Sequence, residues 1–313
     1  MWRIIGRHMG QIIIVLLGIS FITFALVTLA PGDTAKLMIV GNQDIVVSQE
    51  EIEAVRHEYG LDQPFMVQYG NWLLKAVQGD LGYSYMSKMP VTEKIFASLP
   101  ATILLACTSI IMMLIVSIPA GIYAAVKSDR WADYIIRITT FWGVSIPNFW
   151  LGLILLWIFG LKLRLVPIVG GNVNFESIIL PAATLAIVMT SKFTRQVRAT
   201  ILEQLNEDYV VGARARGMSE RYILWREVLP NALLPLITLI GLSLGNLLGG
   251  TAVVEIVFGW PGLGRLAVDS IMYRDFFTIQ GIVLWIALMY MIINMIIDAL
   301  YLILDPRLKK GGI

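Results

Sequence analysis

Residues 209–230 read YVVGARARGMSERYILWREVLP and are the most informative stretch of the chain. The stretch is charged and helix-forming, has Gly217 near its middle, and lies between two long apolar runs. Charged groups and irregular backbone are not tolerated in contact with hydrocarbon. The stretch is therefore predicted to be a folded loop outside the membrane, between two segments that cross it.

The composition predicts an all-α integral membrane protein with about six transmembrane helices. Of the 313 residues, 57% are hydrophobic and 15% are charged, and the mean hydropathy is +0.75. A soluble domain carries roughly a quarter of charged residues, whereas uncharged apolar runs of about 18 residues span a bilayer. Five such runs lie at 9–30, 99–126, 138–161, 228–254 and 276–297, and a shorter sixth lies at 177–191. The sixth is expected to extend past Lys192, whose side chain can snorkel.

Two smaller predictions concern the first apolar run and the single cysteine. The run at 9–30 is long enough to span and has no clean cleavage site at its end, so a retained helix is favoured over a signal peptide. Cys107 lies inside a predicted span and is expected to be a small core residue. One cysteine excludes a disulfide within the chain.

The distribution of Lys and Arg predicts which loops face the cytoplasm. Residues 1–8, 127–137, 192–227 and 305–313 together carry 15 Lys or Arg and 8 Asp or Glu. The alternate segments, 31–98, 162–176 and 255–275, carry 9 and 13. Because basic residues concentrate in cytoplasmic loops, both termini and 192–227 are predicted to be cytoplasmic in a multi-pass protein of the cell membrane. The net charge of +2 gives no indication of nucleic-acid binding.

The long outer segment, 31–98, is predicted to fold as a small helical subdomain. Ser48 begins a helix as an N-cap followed by acidic residues, and this helix is expected to run to about Tyr59 and stop at Gly60. Residues 65–78 have apolar positions at helical spacing and predict a second, amphipathic helix. The subdomain is either a cap over a pore mouth or a docking surface for a partner protein.

Several kinds of chemistry are absent from the sequence. It contains no phosphate loop, which excludes ATP binding by that route. His8 and His57 are far apart, and no His, Cys, Asp or Glu cluster has metal-ligand spacing, so no cofactor is predicted. No nucleophile–base pair is visible, and the chain is not predicted to be an enzyme. Asp298, near the end of the last span, is a functional candidate by position, although its neighbours can satisfy it structurally.

Polar side chains and prolines inside the spans suggest a pore. The prolines at 119, 147, 181 and 235 each remove a backbone hydrogen bond and are expected to kink a span. Kinked helices leave room for a cavity, although kinks also occur in inert bundles. Four polar residues in the same spans either line a solute path or join the helices to one another: Ser145, Asn148, Asn246 and Thr251.

Several short motifs occur in a fixed order along nearly the whole chain. They are LDQP at 61–64, GDLG at 79–82, LPAT at 99–102, IPAG at 118–121, SIPNFW at 145–150, the stretch quoted above, FGWPGLG at 258–264 and LDPR at 304–307. Together they resemble the first permease subunit of the dipeptide/oligopeptide/nickel family of ATP-binding-cassette (ABC) importers.

The opening stretch resembles the loop by which such permeases contact their ATPases. In that loop a cluster of small residues is followed by a glycine and, about ten residues later, by Leu-Pro. The first position, often Glu, is Val211 here, and Glu227 stands where an apolar residue is usual, as in the peptide/nickel branch. The resemblance assigns ATPase coupling to Gly212, Ala213, Arg214, Arg216, Gly217, Met218, Leu229 and Pro230.

A coupling helix must be short, rigid and shaped to fit a groove. One such helix is expected at 212–226, with Ala213 and Gly217 leaving one face flat against the partner and the arginines meeting acidic residues at the rim. Met218 is expected to supply an apolar contact. The alternative is an amphipathic helix that lies on the lipid surface, which has the same composition.

The resemblance implies the type I ABC-importer permease fold and an importer of several parts. These parts would be this chain and a sister permease as a heterodimer in contact with membrane lipid, two ATPases, and an extracytoplasmic solute-binding protein. The chain would form half of the translocation path for nickel, carried as a chelate, or for short peptides, while the separate subunits hydrolyse ATP. The alternative is a secondary transporter or channel without ATPase partners, which is expected to carry protonatable residues deep in several spans. Such residues are nearly missing here.

These observations divide the chain into four predicted parts. They are an N-terminal transmembrane helix at 1–30, an extracytoplasmic helical domain at 31–98, a permease core at 99–304 that includes a cytoplasmic coupling loop at 192–230, and a cytoplasmic tail at 305–313.

Overall fold

The computed structural model of the chain describes residues 2–29, 32–40, 46–167 and 173–304. The predicted tail at 305–313 lies outside these residues. The helices are α1 (Trp2–Thr28), α2 (Thr34–Val40), α3 (Gln49–Glu58), α4 (Phe65–Val77), α5 (Val91–Val126), α6 (Trp131–Ser145), α7 (Asn148–Leu155), α8 (Phe175–Leu205), α9 (Asp208–Ala215), α10 (Glu220–Tyr222), α11 (Leu229–Gly250), α12 (Ala252–Val257), α13 (Leu263–Met272) and α14 (Phe276–Leu304). Two π-helical segments, Leu156–Lys162 and Ile223–Val228, and one antiparallel hairpin of β1 (Tyr83–Ser84) and β2 (Met89–Pro90) complete the described chain.

The helical membrane fold predicted from the composition is confirmed. Within the described ranges, five helical stretches are long and apolar enough to cross a bilayer: Gly10–Thr28, Val91–Val126, Phe175–Leu205, Glu220–Gly245 and Phe276–Leu300. A bent pair, Trp131–Ser145 with Asn148–Lys162, supplies a sixth if it counts as one span. Six spans leave the two ends of the chain on the same side of the membrane.

The third predicted span, at 138–161, is broken rather than kinked. The helices α6 and α7 are bent by 99° relative to each other. Ile146 is extended, with φ −89° and ψ 125°, and Pro147 follows with ψ 138°. Proline disfavours helical geometry in the residue before it and has no N–H to donate, so the helix stops and restarts. Pro181, by contrast, lies inside the continuous helix α8.

The fourth and fifth predicted spans differ in length from the structure. Helix α8 runs 31 residues to Leu205, which confirms the expected extension of the apolar run at 177–191 past Lys192. At 1.5 Å per residue its length is about 46 Å, against about 30 Å of hydrocarbon. Residues 192–205 are therefore a helical extension of a span and not a loop. The predicted span at 228–254 ends as α11 at Gly250, and the chain resumes as α12.

Contacts divide the chain into two compact units, of which the first comprises residues 1–102 and 261–291. Its core holds Leu81, Val91, Ile95, Leu263 and Ile282, each at most 3% exposed. Aromatic rings join α4 to α1 in the same unit. They are Phe21, Phe24, Phe65, Tyr69 and Trp72, which are linked through ring-centroid distances of 5.3–6.3 Å.

Both helices predicted in the outer segment are confirmed. Helix α3 begins after Ser48, whose hydroxyl accepts from the backbone N–H of Glu51 while the Glu51 carboxylate accepts from the backbone N–H of Ser48. This reciprocal capping box satisfies two otherwise unpaired donors. The chain leaves α3 through Tyr59 and through Gly60, which has φ +66°. Helix α4 ends at Val77, as its periodicity predicts.

A buried polar cluster, missed by sequence reasoning, joins the β1–β2 hairpin to the start of α14. Asp275 is fully buried, and its carboxylate accepts hydrogen bonds from Ser84 and Thr278 and lies 3.5 Å from the Lys94 ammonium. The backbone N–H of Phe276 donates to the Tyr85 hydroxyl over 3.0 Å. Burial raises the pKa of Tyr85 above its ordinary value, so this phenol is neutral at physiological pH.

The second unit comprises residues 103–260 and 292–313, and its packing depends on close approaches to α8. A Cβ built at Gly121 would lie 2.6 Å from the Val197 side chain. A Cβ built at Gly143 would overlap the Ser191 hydroxyl. Only glycine lets α5 and α6 come this near. Cys107 in α5 is exposed, so the expectation of a core position is wrong.

Candidate functional site

Residues 206–230, called the connecting segment from here on, leave α8 and return to α11. The single helix expected at 212–226 is wrong, because two short helices stand in its place. Helix α9 ends in a Schellman motif, in which Met218 N–H donates to Ala213 O over 3.2 Å and Gly217 N–H donates to Arg214 O over 2.9 Å. Gly217 has φ +77°, which L-residues disfavour. It is therefore the point where the chain turns, and not a flat position on a helix.

One face of the connecting segment is fully buried. Val210 and Ala213 of α9, and Ile223 and Val228 of the second π-helical segment, are each 0% exposed. Helix α9 and that π-helical segment contact each other, and the latter also contacts α8. The helices are thus fixed to the membrane-spanning part of the unit by their own small apolar core. Ala213 belongs to this core and is not available to a partner.

The connecting segment also exposes large apolar side chains and arginines. Val211 is 56% exposed, Tyr222 is 49% exposed and Trp225 is 60% exposed. Arg214 of α9 and Arg216, the C-cap of that helix, are also exposed. Exposed aromatic residues surrounded by polar groups are characteristic of protein–protein contact surfaces. These five residues are called the outer face below.

An ion pair spans the turn at Gly217. The Arg214 guanidinium donates to both carboxylate oxygens of Glu220, over 2.7 Å and 3.2 Å. The hydrogen bond to Glu220 raises the pKa of Arg214 above its usual value. Both side chains are substantially exposed, so the pair contributes little to stability. Its geometric effect is to hold the end of α9 near the start of α10, where Ser219 is the N-cap.

The predicted coupling residues have different environments in the structure. Gly212 and Met218 are half-buried, Ala213 is buried, and Arg214, Arg216 and Gly217 are exposed. Leu229 is half-buried at the first position of α11, and Pro230 beside it is exposed. Pro230 has no N–H to donate to the preceding turn, and the π-helical segment Ile223–Val228 directly precedes it. The structure thus brings all eight residues into one segment and divides them between its core and its surface.

Sequence reasoning did not identify Tyr222 and Trp225 as surface residues. Both lie in a stretch whose apolar residues have no clean 3.6-residue period, because the second π-helical segment interrupts it. The available signal was the pair of large aromatic residues inside an otherwise charged loop. Only the packing of the segment shows that both side chains lie at the surface.

The predicted path residues have different environments in the described chain. Ser145 is exposed at the end of α6, where its hydroxyl donates to Phe141 O over 3.0 Å, and Asn148 is half-buried at the start of α7. Thr251 is fully buried, and its hydroxyl has no hydrogen-bond partner in the structure. The Asn246 side chain lies outside the part described. Ser145 and Asn148 flank the break between α6 and α7.

Buried charge in the spans was also missed. Asp133 of α6 is fully buried, and both of its carboxylate oxygens accept from the Arg198 guanidinium of α8 over 2.6 Å. The available signal was an acid just before the third predicted span and a base just after the fourth. Asp298 has a partner within the described chain. In the described ranges, no group of three or more His, Cys, Asp or Glu is placed to hold a metal ion.

Two family models match the chain. One is described as "Binding-protein-dependent transport system inner membrane component" and matches residues 117–310. The other is described as "Binding-prot-dependent transport system membrane comp, N-term" and matches residues 1–106. Between them they account for the connecting segment, nearly all the described spans and the outer subdomain.

Curated relatives are similar over almost their full length. An oligopeptide transport system permease protein, AppB of Bacillus subtilis, is 42% identical over 94% of this chain and 95% of its own. A glutathione transport system permease protein, GsiC of Escherichia coli, is 39% identical over 98% of each. A probable D,D-dipeptide transport system permease protein, DdpB of Escherichia coli, is 38% identical over 99% of this chain and 98% of its own.

Solved structures share the fold at low sequence identity. A chain from the inward-facing MetNI methionine ABC transporter has a TM-score of 0.56 and 16% identity, over 67% of this chain and 96% of its own. A chain from an amino acid ABC transporter determined with histidines has a TM-score of 0.51 and 18% identity, over 69% and 94%. At this identity the likeness establishes the fold alone.

Proposed function

The chain belongs to the family of binding-protein-dependent transport system inner membrane components, and from this premise we propose that its connecting segment is the contact through which an ATPase drives it. The chain is a permease subunit of an ABC importer in the inner membrane, a family that works with ATPase subunits and solute-binding proteins. The observation that carries the proposal is the outer face. It is an apolar and basic surface on a segment whose own core holds it rigid.

A lipid surface is a poorer occupant of the outer face than a protein groove. A helix lying on lipid needs an apolar stripe long enough to bury along the membrane plane. Helix α9 has only 8 residues and ends at a turn, after which α10 begins the continuous helix that leads into the span at Glu220–Gly245. Such a knob-like shape fits a concave protein surface, where exposed aromatic and arginine side chains supply most of the binding energy.

The finer composition of the importer follows from the same proposal. The chain pairs with a sister permease of different sequence, each permease contacts one of two ATPases, and the outer subdomain meets the solute-binding protein. Both termini and the connecting segment lie in the cytoplasm. The domain boundaries at residues 30, 98 and 304 remain part of this proposal, as does a solute path that passes the α6–α7 break near Ser145 and Asn148.

Short peptides are the proposed solute class. The three relatives compared above are named for an oligopeptide, glutathione and a D,D-dipeptide, and all three are peptides or peptide-like. These names favour a short peptide over the nickel chelate that the sequence motifs also allow. Uptake of labelled dipeptides and of chelated nickel by proteoliposomes of the full importer distinguishes these two solute classes, since only the dipeptides should be transported.

The proposed topology predicts opposite exposure of two alanines. Ala54 in α3 and Ala215 in α9 are both exposed, and neither caps a helix. In a Cys107→Ser background, Ala54→Cys should react with a membrane-impermeant maleimide in intact spheroplasts, and Ala215→Cys should react only after lysis. Labelling of both variants from the same side would contradict the topology and, with it, the cytoplasmic position of the connecting segment.

A single aromatic residue tests the ATPase contact. Trp225→Asp should reduce retention of the ATPase on the purified permease pair by about thirty-fold, because truncating a central aromatic residue of an interface costs on the order of 2 kcal/mol or more. Retention is measured by affinity purification of the tagged permease and quantitation of the bound ATPase.

Tyr59→Asp is the matched control, because Tyr59 is also an exposed aromatic residue but lies at the end of α3 in the outer subdomain. ATPase retention by this variant should equal that of the parent protein. Equal retention by both variants would place the ATPase contact elsewhere on the chain.

A further inference from the structure

We propose that two arginines on α6 and α8 bind the phosphate of an anionic phospholipid, with an acyl chain lying on the aromatic residues below them. The site is a groove of about 550 Å³ on the surface of these two helices. It is lined by Tyr134, Arg137, Ile138, Phe141, Trp142 and Arg195.

The two arginines lie at one level of the helix pair. Asp133 pairs with Arg198, and Gly143 approaches Ser191, so α6 and α8 run antiparallel. Arg137 is four residues after Asp133, and Arg195 is three residues before Arg198. At 1.5 Å per residue, both arginines are about 5 Å along the axis from the ion pair, on the same side of it.

Neither arginine forms an ion pair within the described chain, although Arg137 interacts electrostatically with the Asp133 carboxylate. Asp133, the nearest carboxylate, is fully buried and already takes two hydrogen bonds from Arg198. Arg137 instead lies over the Tyr134 ring, with 5.6 Å from its guanidinium carbon to the ring centroid. Two exposed guanidinium groups side by side repel each other, and an anion placed between them removes the repulsion.

The level of the arginines matches the edge of the hydrocarbon. A helix crosses about 30 Å of hydrocarbon in about 20 residues, and counting from Phe175 at the start of α8 ends this crossing near Arg195. Phospholipid phosphates lie immediately outside that boundary. With the proposed topology, this is the cytoplasmic leaflet, where basic pockets between helices bind anionic lipid head groups.

The walls of the groove suit an acyl chain and not a polar solute. Ile138 is 58% exposed, and Phe141 and Trp142 are each 67% exposed, on the hydrocarbon side of the arginines. Trp131, at the start of α6, is 84% exposed, as expected of an aromatic residue at the membrane interface. A peptide passing this surface would meet almost no hydrogen-bonding groups other than the guanidinium groups. Basic groups above an apolar slot match a phosphodiester that carries acyl chains.

Native mass spectrometry of the full assembled importer tests the proposal directly. Phosphatidylglycerol and cardiolipin, each offered with an equal amount of phosphatidylcholine, should be retained preferentially. Arg137→Gln combined with Arg195→Gln should weaken retention by about thirty-fold, because each arginine near an anionic lipid surface raises the affinity by about five-fold. Arg137→Lys with Arg195→Lys should retain most of the binding, since the charges remain.

Two controls separate the lipid from other occupants. Arg164→Gln removes an exposed arginine from outside the groove and should leave lipid retention unchanged. Inorganic phosphate at millimolar concentration should not displace the lipid; if it does, the site binds free phosphate and the proposal fails.

The remaining outcomes also decide the question. Equal retention of phosphatidylglycerol and phosphatidylcholine by the parent complex overturns the proposal without any variant. Loss of the sister permease from the double-glutamine variant, with lipid retention intact, would assign the groove to a permease–permease contact instead. Should that variant not assemble, the lysine pair and each single glutamine variant provide the comparison. None of these measurements depends on ATP hydrolysis or transport, so the proposed function can fail independently.

Discussion

Replacing Gly217 with valine is expected to abolish solute-stimulated ATP hydrolysis by the assembled importer while leaving membrane insertion intact. Gly217 has φ +77°, and a Cβ built there meets no atom within 4 Å. The cost of a side chain is therefore conformational, about 1–2 kcal/mol for an L-residue and more for a β-branched one. The turn can relieve that strain only by opening, which would displace Tyr222 and Trp225 relative to α9. Stimulated ATPase activity, measured in proteoliposomes, should fall to the unstimulated level.

Two substitutions show whether the effect comes from this turn. Gly217→Asn should keep most of the activity, because asparagine adopts the left-handed conformation readily. Gly79→Val introduces the same kind of strain in the outer subdomain, where Gly79 has φ +88° and equally open surroundings; it should leave ATPase association unchanged. Normal stimulation of ATP hydrolysis in an assembled complex carrying Gly217→Val would mean that the turn does not position the outer face. A bulkier residue such as tryptophan is expected to behave like valine.

Removing one partner of the ion pair between α6 and α8 is expected to cause the largest loss of stability. Arg198→Ala leaves Asp133 buried without its partner, and breaking a buried pair in this way costs about 3–5 kcal/mol. The variant should be poorly retained in detergent, with a strongly lowered melting temperature measured by intrinsic fluorescence. Asp133→Asn combined with Arg198→Gln should recover part of the loss, because no buried charge is then left unpaired.

The exposed pair of Arg265 and Asp269 provides the comparison. Their atoms are 3.7 Å apart, and both side chains are more than 40% exposed. Surface pairs of this kind contribute at most about 1 kcal/mol, so Asp269→Ala should melt within a few degrees of the parent. A similar loss in Asp269→Ala and Arg198→Ala would show that burial of the α6–α8 pair does not matter.

The membrane fold could be predicted because its main determinants are local. Long uncharged runs must be helical in a bilayer, since no other open segment satisfies its backbone there. The outer subdomain was predictable for a similar reason. Ser48 and Glu51 form a capping box, and Gly60 ends the helix, so the bounds of α3 depend on residues within about a dozen positions of one another.

The features that could not be predicted depend on partners distant in sequence. Pro147 could kink a helix or end it, and only the surrounding packing decides that α6 and α7 meet at 99°. The burial of Asp133 depends on Arg198, which is 65 positions away. The hairpin at residues 83–90 is joined to Asp275, which is 191 positions from Ser84. No periodicity within a short window reports such pairings.

The position of the connecting segment was predicted, but the single helix predicted for it is wrong. Its end followed from the spacing between Gly217 and Leu229–Pro230, whereas its start, predicted from charge at residue 192, lies after Leu205. Its interior did not, because a glycine near the middle of a helix-forming stretch is compatible both with a close helix contact and with a helix end. The positive φ at Gly217 and the burial of Ala213 decide for the second.

The π-helical segment Ile223–Val228, which lies between Gly217 and Pro230, affects the direction in which the outer face points relative to α11. It joins α10 to α11 without a break. A π-helical turn holds about one residue more than an α-helical turn, so it absorbs one extra residue of chain. Deleting one residue here would convert the wide turn to an ordinary one and leave Tyr222 near its present direction relative to α11, whereas the same deletion in a purely α-helical stretch would turn it by about 100°. The wide turn thus makes the direction of the outer face independent of one residue of chain length.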